Sequence, residues 1–213
     1  MNTRRRLKGL QKWLYKGLCR GREMKAPAAN MDITKIQRQE PQVYIAWAPR
    51  RPDLRNGYGD EAISVCPGII VMPSASLVKN MEEKRFDRYS GVKRPQDLGQ
   101  TLSVSILFSV YEPGVRQPGF THLPKDLTLM DEGTEEGLFA LTDWMDECIE
   151  NLLGAKYIPE TDLFIIEEEC VYSLYTDQNY VVDKRPIFYG FVNVVFGCYA
   201  SEGRNSAVEE FLK

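Results

Sequence analysis

The chain is poor in the residues and motifs on which most enzyme chemistry depends. Its 213 residues include one histidine, His122, in a stretch without a neighbouring nucleophile motif. The phosphate-binding pattern GxxxxGK[ST], the dinucleotide-binding GxGxxG after a strand and the zinc-protease HExxH are all absent. The five cysteines are widely spaced and never form a CxxC pair, which favours buried, reduced thiols over disulfides or zinc ligands. We therefore expect no catalytic site, no cofactor and no metal.

The chain also lacks long hydrophobic runs. No apolar stretch reaches the roughly 18–20 residues that a membrane-spanning helix needs, and Arg4, Arg5 and Arg6 are not followed by the apolar block of a signal peptide. Hydrophobic residues make up 43% of the chain and charged residues 27%, which is ordinary for a globular protein. The length suits one domain with one main core. We expect a protein of the cytoplasm that does not bind membranes.

Charge is strongly separated along the chain, although the net charge is only -3. Residues 1–25 hold nine basic side chains and one acid, a net charge of +8, which leaves -11 for the remainder. Between Asp126 and Glu169, fourteen acids face a single base, Lys156. Such polarity is typical of a protein that meets neighbours at opposite ends, or that lies near DNA without gripping it.

The opening segment TRRRLKGLQKWLYKGLCRGR predicts an amphipathic helix over about residues 4–19, ended by Gly21. Its apolar row consists of Leu7, Leu10, Leu14 and Leu18. Three partners remain open for its positive charge: an acidic protein surface, a nucleic acid on which Trp13 or Tyr15 could stack, and a membrane surface. We favour docking on an acidic protein, with DNA binding as the alternative. The docking cations would be Arg4, Arg5, Arg6, Lys8, Lys12 and Lys16.

The remaining periodicity predicts an α+β fold, with a mostly antiparallel sheet and helices packed on one face. Alternating apolar residues in TLSVSILFSV give the clearest strand signal. A second helix is expected over about 135–153, capped by Thr134 and ended by Gly154. Residues 22–41 have linker chemistry, and residues 74–99 form a mixed-charge excursion from a single domain spanning 1–213. The other predicted strands are 42–48, 67–73, 163–175 and 187–200.

The last predicted strand is apolar on both faces. One apolar row consists of Phe188, Val192, Val194 and Phe196. The alternate residues on the other side of the strand are also apolar or aromatic. A strand of this kind is covered on both faces, either by a helix and another sheet or by a neighbouring subunit. The candidate subunit-interface residues are Ile187, Tyr189, Phe191 and Val195.

Three consecutive acids interrupt the strand pattern of IIEEEC. Regular alternation would place Glu167 and Glu169 on one face and Glu168 on the other, so two carboxylates could act together as in some hydrolases. No partner motif accompanies them. We therefore favour solvated or pore-facing charge over a small hydrolase.

The order of segments resembles the tail terminator proteins of long-tailed bacteriophages, over approximately residues 4–200. The likeness lies in an N-terminal amphipathic helix followed by QVYIAWAP, PGIIVMP, LSVSILFSVYEPG, the helix GLFALTDWMDECIENLL and the closing RPIFYGFVNVVFGCYA. VYEPG is similar to the family's strand that leads through a loop into the helix. The segments 74–99 and 113–134 are longer than a minimal member needs.

The resemblance implies a non-enzymatic structural protein of the virion. Such proteins form a ring, commonly a hexamer, which caps the tail tube, ends its polymerisation and provides the head–tail joining surface. The implied partners are copies of itself, the tail tube protein and the head–tail connector proteins. The implied location is the head-proximal end of the tail, and the host cytoplasm during assembly.

DNA would pass through the lumen of such a ring without specific binding. A negatively charged wall repels phosphates and lets the duplex slide. The candidate pore-facing acids are Glu167, Glu168, Glu169, Asp143, Asp146, Glu147 and Glu150.

Overall fold

The protein has a mixed α+β fold with a mostly antiparallel sheet, as predicted. The computed structural model describes residues 3–27, 36–46, 66–80, 98–112, 128–174, 176–177, 180–181 and 187–199. These residues form two helices, a five-stranded sheet and two two-stranded ladders. In chain order the elements are α1 (Thr3–Leu14), β1 (Met24–Pro27), β2 (Ile36–Gln39), β3 (Gln42–Ile45), β4 (Gly68–Asn80), β5 (Leu98–Tyr111), α2 (Thr128–Ala155), β6 (Phe164–Leu174), β7 (Thr176–Asp177), β8 (Tyr180–Val181) and β9 (Ile187–Tyr199).

The five-stranded sheet has the order β3-β4-β5-β9-β6. β3 runs parallel to β4, and the other three neighbouring pairs are antiparallel. Helices α1 and α2 contribute to one hydrophobic cluster together with the inward side chains of the sheet. The two helices therefore cover the same face of the sheet, as the sequence predicts.

The opening helix continues beyond α1 as a π-helical turn. After α1, residues Tyr15–Cys19 form a π-helical turn in which Arg20 N–H donates to the carbonyl of Tyr15 at 2.9 Å. Gly21 then adopts a φ of 76°, a left-handed conformation that favours glycine at a helix end. The prediction of a helix ended by Gly21 is confirmed.

The predicted linker at 22–41 is wrong at its two ends. β1 and β2 pair antiparallel, from Met24 opposite Gln39 to Pro27 opposite Ile36, and Ala26 is fully buried. These short strands lack the alternation that marks a strand in sequence, so their formation depends on pairing with each other and on packing of β1 against β5. β3 ends earlier than predicted, because Ala46 takes a left-handed φ of 66°.

β4 and β5 form a long antiparallel pair that includes both ends of the predicted excursion. Their register runs from Gly68 opposite Ser109 to Asn80 opposite Leu98, with an irregularity between Pro73 and Ala75. Residues 81–97 of the excursion lie outside the described residues. On β5 the predicted alternation is confirmed, since the inward side chains are buried: Leu102, Val104, Ile106, Phe108 and Val110.

Helix α2 begins before and ends after the predicted limits. Thr134, the predicted cap, lies inside the helix, and Gly154 lies in its last turn. Lys156 ends the helix with a left-handed φ of 56°, while its N–H donates to the carbonyl of Leu152 at 3.2 Å. The predicted apolar stripe faces the core, with four members buried: Leu141, Met145, Cys148 and Leu152.

A glycine in β9 sets the distance between α2 and the sheet. A β-carbon at Gly190 would overlap the sulfur of Met145 and lie 3.3 Å from a methyl carbon of Leu141. Helix α2 can therefore approach the sheet closely at this position, and side chains interlock there at core density.

We expect Gly190→Ala to lower the free energy of unfolding by about 1–3 kcal/mol, because the added methyl overpacks the contact between α2 and β9. Urea denaturation followed by circular dichroism measures the change. Combining Gly190→Ala with Met145→Ala should cost less than the sum of the two single changes. Gly154→Ala is the control, because a β-carbon added at Gly154 would have no neighbouring atom within 4 Å. Equal losses at both glycines would contradict the close approach.

Candidate docking surfaces on the two helices

Five cations on α1 and its π-helical turn are exposed to solvent. From the first of these cations to the last, they span about 18 Å along the helix axis, given a rise of about 1.5 Å per residue. Lys8 Nζ donates to Gln11 Oε1 at 3.2 Å, and Gln11 Nε2 donates to the carbonyl of Val43 at 2.5 Å on the edge strand β3. We call this set the basic face: Arg4, Arg5, Lys8, Lys12 and Lys16.

Arg6, the sixth predicted docking cation, is not part of this face. Its side chain is 1% exposed, and its Nε and Nη2 donate to Oδ1 and Oδ2 of Asp162 at 2.8 and 2.6 Å. The two-bond geometry makes this a strong charge-assisted contact. Arg6 lies four residues before Leu10 and eight before Leu14, a spacing that places it on the buried side and could have revealed its role.

The Arg6 contact changes the proton affinity of its partner. Burial of Asp162 disfavours the charged carboxylate, but the hydrogen bond and the positive charge of Arg6 outweigh this, so the pKa of Asp162 lies below its usual value. The hydrogen bond to Asp162 likewise raises the pKa of Arg6. Both groups are therefore charged at neutral pH, and they join α1 to the turn before β6.

A second contact joins α1 to the same turn, but at the surface. Lys12 Nζ lies 2.8 Å from Glu160 Oε2, and both side chains are more than two-thirds exposed. The hydrogen bond from Lys12 and its charge lower the pKa of Glu160. Because water screens exposed pairs, this contact orients the turn and contributes little to stability.

The end of the basic segment is anchored to α2. Arg22 forms an ion pair with Glu147, and its guanidinium carbon lies 5.7 Å from the ring centroid of Trp144. Trp144 Nε1 donates to the carbonyl of Leu18 at 3.2 Å, which satisfies one acceptor near the end of the helix. Glu147 is therefore engaged within its own chain by Arg22.

Two further carboxylates hold the segment after the π-helical turn. Glu40 accepts hydrogen bonds from Tyr15 Oη and, at 3.0 Å, from Gly21 N–H. The hydrogen bond from Tyr15 lowers the pKa of Glu40. Lys25 Nζ lies 2.8 and 2.6 Å from the two carboxylate oxygens of Glu112, at the end of β5. A substantial part of the N-terminal positive charge is thus neutralised inside the molecule.

The outward side of α2 carries a second charged surface. Glu135, Asp143, Asp146 and Glu150 are exposed, and their spacing places them on one side of the helix. Phe139 is 57% exposed and Leu153 is 37% exposed on the same side. We call these six residues the acidic face. Three predicted pore-facing acids, Asp143, Asp146 and Glu150, are therefore brought together by α2.

The predicted acids of β6 lie in an irregular part of the sheet. Ile165 is opposite Phe196 and Cys170 is opposite Val194, so four residues of β6 correspond to one residue of β9. The period of two does not hold across such a bulge, and the expected placement of Glu167 and Glu169 on one face loses its basis. The side chains of Glu167, Glu168 and Glu169 lie outside the described part of the structure.

The four predicted interface residues on β9 differ in burial: one is buried within its own chain and three are half-buried. Ile187 is 4% exposed and packs with Cys66 and Tyr111, so the structure places it inside its own chain rather than at an interface. Tyr189, Phe191 and Val195 are half-buried. They form the outer row of β9. The same face of the sheet carries a hydrogen bond of 2.6 Å from Ser105 Oγ to Asn193 Oδ1.

The thiols behave as the sequence predicts where they are described. Cys19, Cys66, Cys148 and Cys198 are buried, and no disulfide joins any two of them. Burial raises the pKa of Cys19 to about 12, so this thiol stays protonated at neutral pH. The side chain of Cys170, and the whole of His122, lie outside the described residues.

The described residues include no group of three or more histidine, cysteine, aspartate or glutamate side chains arranged to hold a metal ion. Within the same ranges, no helix has the length and hydropathy needed to cross a bilayer. A shallow groove of about 460 Å³ lies beside β3, lined by Lys8, Gln11, Lys12, Tyr15, Gln42 and Val43.

Comparisons with protein-family models, curated proteins and solved structures found no significant match to the chain. Function must therefore be inferred from the chain's own surfaces. The most distinctive of these are the basic face, the acidic face and the outer row of β9.

Proposed function

We propose that the protein is a tail terminator of a long-tailed bacteriophage, a non-enzymatic ring that caps the tail tube and provides the head–tail joining surface. The observation that carries the proposal is the two-faced strand β9. Its inward side chains Val192, Val194 and Phe196 are buried in the core, while Phe191 and Val195 on the other face are only half-buried. Apolar rows of this kind are suited to burial against a neighbouring subunit.

The arrangement of elements supports the same proposal. An N-terminal helix, a mostly antiparallel sheet and a second helix inserted between β5 and β6 follow the order on which the resemblance rests. The proposed partners are other copies of the chain, the tail tube protein and the connector proteins of the head, and the proposed location is the head-proximal end of the tail.

Purified protein should form closed rings by mass photometry and negative-stain microscopy, and should bind the ends of isolated tail tubes. The expected species is a multiple of the 24.4 kDa subunit, with six copies as the proposed number. Phe191→Asp should weaken assembly, because a carboxylate in an apolar contact loses hydration without gaining a partner. Arg38→Asp, at an exposed position on β2, is the matched control. A strictly monomeric protein without affinity for tube ends would overturn the proposal.

The second candidate is a DNA-binding accessory protein, favoured by the five exposed cations of the basic face. Duplex binding measured by fluorescence anisotropy should then weaken steeply with added salt, because each neutralised phosphate releases counterions. Replacing Arg4, Arg5 and Lys8 with alanine should reduce both the affinity and the salt dependence. Absence of binding at low salt would remove this candidate.

A further inference from the structure

We propose that the basic face of α1 docks on the acidic face of α2 in a second copy of this chain. The inference rests on the proposed ring, and it identifies a pair of surfaces that would join neighbouring subunits. The described part of each chain carries both a basic and an acidic surface, so one subunit can offer its basic face while its acidic face receives the next. A contact between two different surfaces is heterologous, and repetition closes a ring when the rotation between subunits permits.

The acidic face carries carboxylates that form no ion pair within the described part of the chain. Among the described residues, Asp143, Asp146 and Glu150 make no ion pair, although Glu147 beside them is engaged by Arg22. Three adjacent carboxylates on one helix side repel one another, which destabilises the isolated subunit slightly. A cationic partner would relieve this repulsion.

The acidic face also carries apolar groups that a solvated helix surface does not need. Phe139 lies one turn before Asp143, and Leu153 lies one turn after Glu150, so the acids are flanked by exposed apolar side chains. Tyr157, just beyond the helix, is 56% exposed. Exposed aromatic side chains with a charged rim are typical of protein interfaces, in which a few aromatic anchors supply much of the binding energy.

The basic face matches this surface in sign and in length. Arg4 and Lys16 are about 18 Å apart along the helix axis, and Glu135 and Glu150 are about 22 Å apart, from a rise of about 1.5 Å per residue. The methylene stems of Lys8 and Lys16 can cover Phe139 or Leu153 while their ammonium groups meet carboxylates. Charge complementarity therefore favours a second copy as the occupant of the acidic face.

The test is a charge swap between the two faces. One variant carries Arg4→Glu, Lys8→Glu and Lys16→Glu, and a second carries Asp143→Lys, Asp146→Lys and Glu150→Lys. A third variant combines all six substitutions. Arg6, Glu147 and the core leucines are unchanged, so the fold should persist, and circular dichroism with thermal unfolding checks this. The control combines Arg38→Glu with Glu23→Lys, which reverses two exposed charges outside both faces.

Each three-residue reversal should raise the dissociation constant for assembly by at least about 100-fold, because like charges would then face each other. The six-residue variant should assemble within about 5-fold of the original protein, because complementarity is restored with opposite polarity. An equal mixture of the two three-residue variants should form alternating assemblies that neither forms alone. The measurement is mass photometry across a dilution series, repeated from 0.05 to 1 M NaCl on the expectation that salt weakens assembly.

The outcomes separate this contact from the proposed function. Rings that survive both three-residue reversals would overturn the docking of α1 on α2 while leaving the ring proposal intact. Failure of the six-residue variant and of the mixture to assemble, with both folded, would also overturn the docking. Absence of rings in the unmodified protein would instead overturn the ring proposal. Phe139→Ser, which changes no charge, should weaken assembly as well, and unchanged assembly would count against the contact.

Discussion

Trp144→Ala is expected to lower the free energy of unfolding by about 3–5 kcal/mol, because it removes a large buried side chain and leaves a cavity. Trp144 is 1% exposed, and its ring meets Phe108 of β5 edge to face, with centroids 5.2 Å apart at 74°. Its Nε1–H holds the carbonyl of Leu18, and its ring face receives the guanidinium of Arg22. One side chain therefore joins α2, the sheet and the end of the N-terminal helix.

Urea denaturation measures this loss at a concentration where the protein is monomeric. Unfolding is followed by far-ultraviolet circular dichroism of the backbone, because tryptophan fluorescence would itself change with the substitution. Trp144→Phe should cost less, about 1–2 kcal/mol, since an aromatic ring remains but the hydrogen bond to Leu18 is lost. Phe139→Ala, on the exposed side of the same helix, is the control and should change stability by less than about 0.5 kcal/mol. Similar losses for Trp144→Ala and Phe139→Ala would contradict the placement of α2.

Asp162→Asn is expected to lower the free energy of unfolding by about 3 kcal/mol, because it leaves the buried guanidinium of Arg6 without its charged acceptor. Asp162 is 19% exposed, so water partly compensates the loss. Glu160→Gln is the matched control. Glu160 lies two residues before Asp162 and pairs with Lys12 at the exposed surface. We expect no measurable change in the unfolding midpoint for that variant, and a comparable loss in both would contradict the difference in burial.

The Asp162 contact should also have a defined dependence on pH. Because the pKa of Asp162 is lower in the folded chain than its usual value of about 3.9, the stabilisation is fully present above that value and is lost as the pH falls through the folded pKa. The difference in stability between the unmodified protein and Asp162→Asn should therefore be constant near neutrality and shrink in acid below about pH 4. A difference that stays constant down to pH 2 would show that Arg6 does not lower this pKa.

Much of the fold could be predicted from local pattern. β5 and β9 were placed to within a few residues because their alternation repeats over long, uninterrupted runs. The N-terminal helix was equally clear from Leu10, Leu14 and Leu18, which are all buried. Sequence pattern does not predict β1 and β2, because four-residue strands carry no usable periodicity. It also misses the early start of α2, because Thr128, Asp131 and Gly133 have low helix propensity and are typical of a loop.

The candidate surfaces were predicted less completely. The exposed cations Lys8 and Lys16 follow directly from helical spacing, as do the outward acids Asp143 and Asp146. The internal ion pairs of Arg6 and Glu147 do not follow from helical spacing. In the sequence, a charged residue that pairs within the chain looks the same as one that remains available to another molecule. The partners of Arg6 and Glu147, Asp162 and Arg22, are 156 and 125 residues away along the chain.

The sequence by itself determined the class of fold, the two amphipathic helices, the two-faced last strand and the separation of charge, because these depend on residue type and on spacing between near neighbours. Only the tertiary structure decided that β9 lies between β5 and β6, that β3 runs parallel to β4, and that Arg6 is neutralised inside the molecule. Strand order and ion pairing depend on how distant segments approach one another, and that approach is set by the packing of the whole core rather than by any local pattern.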